Sequence, residues 1–252
     1  MEKGVILYTT KMYASRHVTT LTSAERIVQE LLNLFPDTSS VVDVGCGVGT
    51  FLSVFKEKGV KQVLGLDGPW VDPELLQVSP DEFQVLNLET PHQLNRKFDI
   101  AICFEVAEHI SASKANNFIT YLCELSDVVI FSAAIPAQGG NGHVNEQWQS
   151  YWVEIFENLG MQTYDIVRPK IWDDDSVLFW YRQNTLVFTR NKLVHDFARP
   201  AKSLNIVHPL CYESKLPANN GYLKNLILAL IPNVRTLEAI RTVFERARFL
   251  KK

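Results

Sequence analysis

Hydrophobic positions follow two different periods along the first 190 residues, and these periods predict helices and strands in turn. Residues 22–35 place Ile27, Leu31 and Leu34 four and three positions apart, which is the spacing of one helix face. Pro36 follows and would end this helix. Short runs rich in β-branched residues come next, the first of them SVVDV. The pattern predicts a first helix followed by a series of strands.

Seven strands are predicted in all, and helices separate most of them. These helices are expected to end at Gly59 and near Leu125 and to cover residues 148–159. Strands that alternate with helices form a parallel sheet with helices on both faces. The predicted strands are VVDV, KQVLGLDG, FQVLNLE, FDIAICFEV, SDVVIFSAAIP, MQTYDIVRP and VLFWYRQNTLVFTR.

The last two strand segments are predicted to be joined without a helix. The final strand would then lie antiparallel to its neighbour at the edge of the sheet. The expected architecture is α/β, with a doubly wound, mostly parallel seven-stranded sheet and an antiparallel terminal hairpin. Helical extensions are expected at both ends of the chain.

The composition is that of a soluble globular protein, with 46% hydrophobic and 21% charged residues and a net charge of -3 over 252 residues. Such a chain lacks the basic surface that nonspecific nucleic-acid binding needs, so no nucleic-acid partner is expected. Neither a signal peptide nor a run of roughly 18 apolar residues is found. The scattered cysteines predict reduced core thiols in a cytoplasmic protein: Cys46, Cys103, Cys123 and Cys211.

Three glycines follow the first predicted strand in VVDVGCGVGTF, at Gly45, Gly47 and Gly49. Glycine lets the backbone turn sharply there and approach a ligand closely. Asp67 ends the second predicted strand, where a carboxylate can accept hydrogen bonds from both hydroxyls of a ribose. Asp43, before the turn, would repel a phosphate but suits a cationic amino-acid group. The expected ligand is therefore a zwitterionic nucleoside without phosphate.

On VVDVGCGVGTF, VLGLD, VLNLE and FDIAICFEVAEHI, the sequence resembles the class I S-adenosylmethionine-dependent methyltransferases over about residues 20–190. The resemblance implies a Rossmann-like methyltransferase fold and S-adenosylmethionine as cofactor. It also implies that the glycine turn and Asp43 hold the methionine part and that Asp67 holds the ribose. Asn87 or Leu88 would meet the adenine edge, where family members often carry Asp. The predicted cofactor-binding set is Asp43, Gly45, Cys46, Gly47, Gly49, Asp67, Asn87, Leu88 and Glu105.

Methyl transfer from a sulfonium is an in-line displacement, so the protein mainly aligns the reacting atoms in a dry pocket. A hydroxyl acceptor must also lose its proton, which a neutral histidine can take up. His143 lies in a glycine-rich loop after the fifth predicted strand, at the sheet edge where ligands bind. It is the preferred catalytic base, and His109 is the second candidate. Trp148 and Trp152 are predicted to anchor the helix that follows the loop.

A divalent metal is a further possibility, because FEVAEHI brings Glu105, Glu108 and His109 to one side of a helical turn. The arrangement resembles that of ubiquinone-pathway O-methyltransferases, although many family members carry EH there without a metal. The favoured interpretation is a helix start whose acids are stabilised by the helix dipole. No metal is predicted in the site.

The predicted function is methyl transfer from S-adenosylmethionine to a hydroxyl of a neutral small molecule such as a phenol, sugar or natural-product scaffold. The acceptor pocket is expected to include aromatic residues of the terminal hairpin. Alternatives are N-methylation of a small amine and a cofactor-binding protein without catalysis; a nicotinamide dehydrogenase is a third. The hairpin candidates are Trp172, Trp180, Tyr181, Gln183 and Asn184.

The expected domains are a cofactor-covering segment over 1–21, the methyltransferase domain over 22–190 and a helical extension over 191–252. From residue 222 onward, seven Lys or Arg residues stand against two Glu. The favoured interpretation of this extension is a helical pair packed on the sheet or a dimer partner, with the protein a monomer or homodimer. Contact with a membrane surface is the alternative.

Overall fold

The computed structural model of this protein describes residues 10–90, 94–190 and 204–216, with side chains from His17 onward. The chain divides into two compact units, Met1–Cys211 and Tyr212–Lys252, and the described residues lie almost entirely in the first. The predicted extension over 191–252 therefore lies largely outside the described residues. Within the part that is described, no helix combines the length and hydropathy needed to cross a membrane.

Seven strands form one sheet in the order β3-β2-β1-β4-β5-β7-β6. The pairs that join β3, β2, β1, β4 and β5 are parallel, whereas β7 runs antiparallel to both β5 and β6. The predicted seven-stranded, mostly parallel sheet is thus confirmed. Its strands are β1 Ser40–Val44, β2 Gln62–Asp67, β3 Phe83–Val85, β4 Ile100–Phe104, β5 Val128–Ser132, β6 Gln162–Tyr164 and β7 Leu186–Thr189.

Two details of the predicted terminal hairpin are wrong. The last strand, β7, lies between β5 and β6, so that β6 forms the sheet edge. Two short helices, α5 (Arg168–Ile171) and α6 (Phe179–Asn184), connect β6 to β7, and α6 lies within the segment predicted as strand. A run of aromatic and apolar residues has no clear period, so the sequence does not distinguish a buried helix from a strand there.

Five of the seven described α-helices lie between strands, as the alternating pattern predicts; the first precedes β1 and the last follows β7. The first helix begins at Thr10, well before residue 22, and ends next to Pro36 as expected. The helices are α1 Thr10–Leu34, α2 Thr50–Glu57, α3 Ala115–Leu125, α4 Gln149–Asn158, α5 Arg168–Ile171, α6 Phe179–Asn184 and α7 Pro209–Ser214.

The core consists of two clusters on opposite faces of the sheet. Along β4, Ala101 and Cys103 belong to the cluster under α3 and α4, whereas Ile100 and Ile102 belong to the cluster under α1 and α2. Successive side chains of a strand point to opposite faces, so both faces of β4 are buried. This confirms the doubly wound arrangement. All four cysteines are buried and free, as predicted.

Asp99 ties the start of β4 to the start of β1. One oxygen, Oδ2, accepts bonds of 2.8 to 3.0 Å from the backbone N–H and hydroxyl groups of Ser39 and Ser40. Partial burial would raise the pKa of Asp99, but these hydrogen bonds outweigh it and hold the pKa below its ordinary value. The ionised carboxylate therefore contributes to stability at neutral pH, and this contribution is lost as the pH falls through the folded-state pKa.

Asp99→Asn should lower the free energy of unfolding by about 1 kcal/mol at pH 7, because the amide accepts these hydrogen bonds more weakly. The difference from the wild type should narrow as the pH falls below about 4, where the wild-type carboxylate also becomes neutral. Urea unfolding of both proteins at pH 7 and near pH 3 measures this difference in the free energy of unfolding. A difference that stays the same at both pH values would contradict this role of the charge.

Candidate active site

A cavity of about 390 Å³ opens at the carboxyl ends of β1 and β4. This is the edge at which parallel α/β sheets bind ligands, and the volume is within the range of small-molecule pockets. Its described lining includes no Lys or Arg. The lining comes from α1, the glycine turn, the end of β4, the loop after β5 and α6: His17, Thr19, Thr20, Asp43, Gly45, Cys46, Gly47, Val48, Thr50, Phe51, Phe104, Glu105, Glu108, His109, Gln138, Gly139, Gly140, His143, Phe179, Trp180 and Tyr181.

The glycine turn forms one wall of this cavity. Gly45 has a φ of 85°, and a Cβ built there would lie 2.3 Å from Cγ2 of Val106. Only glycine fits this position, since any side chain would meet both backbone strain and a steric clash. Gly49 adopts the left-handed conformation at the start of α2 and is not part of the cavity lining.

Asp43 lies at the end of β1 with only 3% of its surface exposed, and it lines the cavity. Burial, followed by the nearby charge of Asp67, raises the pKa of Asp43 well above its ordinary value. A cation placed against this carboxyl would relieve the cost of ionising it. The position therefore suits the ammonium group of an amino-acid ligand, as the sequence predicts.

Asp67 lies at the end of β2 behind the glycine turn. Its Oδ2 accepts a 2.7 Å bond from the Gly47 amide, and its Oδ1 accepts bonds from the Gly68 amide and the Trp70 indole, at 2.6 and 3.0 Å. The carboxylate is 6% exposed and is not part of the cavity lining. In this structure Asp67 supports the turn, and its contact with a ribose stays a prediction.

The two residues predicted near adenine also lie outside the cavity lining. Asn87 is exposed and accepts a bond from the Glu89 amide, at 3.0 Å. Leu88 is half-buried against the core cluster under α3 and α4. Their role in cofactor binding stays a prediction.

Glu105 lines the cavity directly after β4, in a conformation that few residues with a side chain adopt, with φ 55°. Its Oε2 accepts a 2.7 Å bond from Gln138, and its Oε1 accepts a 3.1 Å bond from Asn184. Burial raises the pKa of Glu105, with bonds from Asn184 and other neighbours opposing the shift. Both oxygens are thus directed to side-chain amides.

Those amides form a buried network that the sequence did not reveal. Gln138 accepts bonds from Gln183 and Asn184, at 3.0 and 2.9 Å, and Gln149 donates to Asn184 at 3.3 Å. All four side chains are buried. Because α6 is a helix and not a strand, Gln183 and Asn184 point at this network, while Trp180 and Tyr181 line the cavity. Trp172, the fifth hairpin candidate, packs on His208 away from the cavity lining, with ring centres 4.7 Å apart.

Glu108, His109 and His143 form a second wall of the cavity, which we term the histidine wall. One ligand-type atom from each lies within 4.8 Å of the others. Nε2 of His143 is 3.9 Å from Oε1 of Glu108, and the two imidazole rings meet edge-on with centres 4.8 Å apart. The structure thus brings both predicted catalytic histidines together. It places Glu105, the other predicted metal candidate, outside this set.

The loop after β5 reaches the histidine wall because its backbone bonds to the turn after β4. The amides of Val144 and Asn145 donate to the carbonyl oxygen of Glu108, at 2.9 and 3.0 Å. Nδ1 of His109 is 3.1 Å from the carbonyl oxygen of Gly142 in the same loop. These contacts hold His143 over Glu108 and His109.

Glu146 orients His143, although its place in the sequence did not mark it as a site residue. Its carboxylate lies 2.8 Å from Nδ1 of His143 and accepts bonds from the amides of Ala137 and Gly139, at 2.8 and 2.7 Å. Burial would raise the pKa of Glu146, but the bonds from His143 and the two amides lower it overall. The spacing H-x-x-E within a glycine-rich loop is the signal that could have identified it.

The two tryptophans of the loop and helix differ in role. Trp152 is 2% exposed and packs on Phe131, with ring centres 5.5 Å apart, which confirms it as an anchor of α4. Trp148 is 40% exposed, so the prediction that it anchors the helix is wrong. It precedes the first turn of α4, and its side chain is not part of the buried face of that helix.

A family model described as a methyltransferase domain matches residues 16–166. No curated protein matches the sequence.

Solved structures with the same fold include a sugar N-methyltransferase from Streptoalloteichus, at a TM-score of 0.57 and 12% identity, covering 76% of this chain and 96% of that one. An amino pentose methyltransferase from Micromonospora echinaspora has a TM-score of 0.51 and 14% identity, and the match covers 76% of this chain and 100% of that one. Magnesium protoporphyrin IX methyltransferase from Synechocystis, solved with bound SAH, has a TM-score of 0.51 and 17% identity, and the match covers 76% of this chain and 90% of that one. At these identities the likeness establishes the fold alone.

Proposed function

Because a methyltransferase-domain family model spans more than half of it, this chain belongs to the S-adenosylmethionine-dependent methyltransferases, and we propose that it methylates a hydroxyl of an uncharged small molecule. The cofactor supplies an electrophilic methyl group on a sulfonium sulfur. The observation that carries the proposal is the histidine wall, which places two imidazoles at the cavity beside the glycine turn.

The residues at the turn fit the methionine end of this cofactor. Gly45 leaves room that a Cβ would fill, and the Gly47 amide is held in place by Asp67. Asp43 is a buried carboxyl that would gain from a neighbouring ammonium group. Asp43, Gly45 and Gly47 would hold the methionine end, and Cys46 lines the same wall.

Asp43→Asn should weaken the binding of S-adenosylhomocysteine by about 10- to 100-fold, the value of a charge-assisted hydrogen bond. The fold should remain stable, because burial already disfavours the charged form of Asp43. Calorimetric titration measures the affinity, with Asp99→Asn as a control that removes a carboxylate far from the cavity. Equal affinities in wild type and Asp43→Asn would contradict this assignment.

Removal of the acceptor proton is assigned to the histidine wall, with His143 first and His109 second. Glu146 holds Nδ1 of His143, so that the other ring nitrogen, Nε2, faces Glu108 and the cavity. A histidine held in this way by a carboxylate has a defined orientation and can take up a proton at the outward nitrogen. The aromatic residues of α6 and the absence of Lys and Arg from the described lining favour a neutral acceptor over an acid.

N-methylation of an amine is the second candidate. Glu105 and Glu108 line the cavity without a Lys or Arg among the other described lining residues, so that carboxyl oxygens are available to accept N–H bonds from an amine. An amine in its neutral form needs no dedicated base, so this function would leave His143 without a chemical role.

Paired acceptors distinguish the two functions. Phenols and sugars would be compared with the corresponding anilines and amino sugars, using cofactor labelled in the methyl group. We expect label on hydroxyl compounds, and the carbon chemical shift of the new methyl group should be that of a methoxyl. Transfer to the amines alone would overturn the proposal and establish the second candidate.

A further inference from the structure

Glu108 is a buried carboxylate that no described side chain satisfies. It is 1% exposed and lines the cavity, yet neither Oε1 nor Oε2 has a hydrogen-bond partner among the residues that the structure describes. Burying such a group without a partner is costly, because nothing replaces the water it loses. Buried polar groups of this kind commonly bind an internal water or an ion, or take part directly in the protein's function.

The described surroundings of Glu108 are acidic and include neither Lys nor Arg. Glu105 lines the same cavity, and the carboxylate of Glu146 lies 2.8 Å from Nδ1 of His143. The described cavity lining contains His17, His109 and His143 but neither Lys nor Arg. A cation from solution would therefore find several carboxylates and no competing charge.

Both imidazoles of the histidine wall are oriented as metal ligands are. Nδ1 of His109 lies 3.1 Å from the carbonyl oxygen of Gly142, and Nδ1 of His143 lies 2.8 Å from the carboxylate of Glu146. Metal-binding histidines commonly donate one ring N–H to a carbonyl or carboxylate, which fixes the ring and leaves the other nitrogen for the metal. In both residues that other nitrogen is Nε2.

We propose that Glu108, His109 and His143 bind one divalent cation of the first transition series, such as Mn²⁺ or Zn²⁺. Two imidazoles and one carboxylate suit these ions better than Ca²⁺, which prefers oxygen ligands. Three protein ligands would leave positions on the ion for a further ligand, and all three residues line the cavity. The ligand atoms lie within 4.8 Å of one another. Each would need to move about 1 Å toward a common centre to reach the Zn–N and Zn–O distances of about 2.0–2.2 Å.

This set differs from the one that the sequence suggested. Glu105 lies three residues before Glu108 in the sequence, but its two oxygens accept bonds from Gln138 and Asn184. His143 takes its place, because the loop after β5 bonds to the carbonyl oxygen of Glu108 and brings the ring there.

The site deepens the proposed function, on which its chemical role rests. An acceptor hydroxyl bound at an open position would lose its proton to water at neutral pH, as metal-bound water does. The oxygen would then form its bond to the methyl carbon while the carbon–sulfur bond breaks and leaves its electron pair on sulfur. With the ion bound, His143 is a ligand and no longer the proton acceptor.

Metal binding can be measured without turnover. Protein stripped with a chelator and dialysed would be titrated calorimetrically with Mn²⁺ and with Zn²⁺, and the bound Mn²⁺ followed by electron paramagnetic resonance. We expect one ion per chain in the wild type, and Glu108→Gln and His109→Ala should each weaken binding at least 100-fold. Asp99→Asn is the control and should bind like the wild type. Unchanged affinity for S-adenosylhomocysteine in the two ligand variants would show that they are folded.

The metal site and the proposed hydroxyl methylation would be contradicted by different experimental results. A wild type that binds neither ion more tightly than about 1 mM, or ligand variants that bind as well as the wild type, would overturn the metal site. If label still reaches hydroxyl acceptors in chelated protein, the chemical role of the ion is wrong and His143 remains the base. Ion binding by the histidine wall with label reaching amines alone would instead overturn the hydroxyl proposal and leave the metal site in place.

Discussion

Gly45→Ala should weaken the binding of S-adenosylhomocysteine about 100-fold or more, the cost of a displacement of about 1 Å at a positioned site. The new Cβ would lie 2.3 Å from Cγ2 of Val106, and the backbone has φ 85°, which disfavours any side chain. Either the turn or Val106 must move, and both neighbour the cavity. Stability should also fall, by about 1–2 kcal/mol, because of the left-handed backbone. Calorimetry with the ligand and urea unfolding measure the two effects.

Gly59→Ala is a matched control for this prediction. Gly59 has a φ of 97°, but a Cβ there would meet nothing within 4 Å, and the residue lies at the far end of α2. This variant should lose similar stability while its ligand affinity remains that of the wild type. If both variants bound the ligand equally well, the glycine turn would not be the cofactor wall that we describe.

His143→Ala should lower turnover by about 100- to 10,000-fold, the range found for loss of a positioned acid–base group. Affinity for S-adenosylhomocysteine should change little, because the side chain lies on the histidine wall and not on the glycine turn. Label transfer at saturating cofactor measures the first quantity and calorimetry the second. The loss is expected whether His143 takes up the proton itself or binds the proposed ion, and the effect of a chelator separates these two roles.

Val144→Ala serves as the control for the loop. The Val144 side chain is 67% exposed, and its only described bond is that of its backbone amide to Glu108. Turnover should therefore remain that of the wild type. Near-normal turnover in His143→Ala would show that the histidine has no part in the chemical step, and N-methylation would become the favoured function.

The strands and the glycine turn could be predicted from sequence because their signals are local. Runs such as SVVDV combine β-branched residues with burial on both faces, and β1 covers Ser40–Val44 accordingly. Gly45 is required by its own backbone conformation and by the neighbouring Val106. Neither inference needed knowledge of how distant segments meet.

The histidine wall and the amide network could not be predicted because they form only where segments distant in the sequence come into contact. Glu108 and His143 come together only when the loop after β5 bonds to the turn after β4. Asn184 reaches Glu105 directly and Gln183 reaches it through Gln138, because α6 is helical. An aromatic run without a clear period does not indicate such a helix. Long-range contacts of this kind arise from packing and leave no spacing in the sequence.

A crystal structure with S-adenosylhomocysteine and an unreactive hydroxyl analogue bound would test the central claim most directly. We expect the methionine end against Asp43 and the glycine turn, with the sulfur directed toward the histidine wall. The analogue's oxygen should lie between the sulfur and His143, about 2.6–3.2 Å from the ring or, with an ion bound, about 2.0–2.2 Å from that ion. A ligand whose sulfur faces away from Glu108, His109 and His143 would contradict the proposed chemistry.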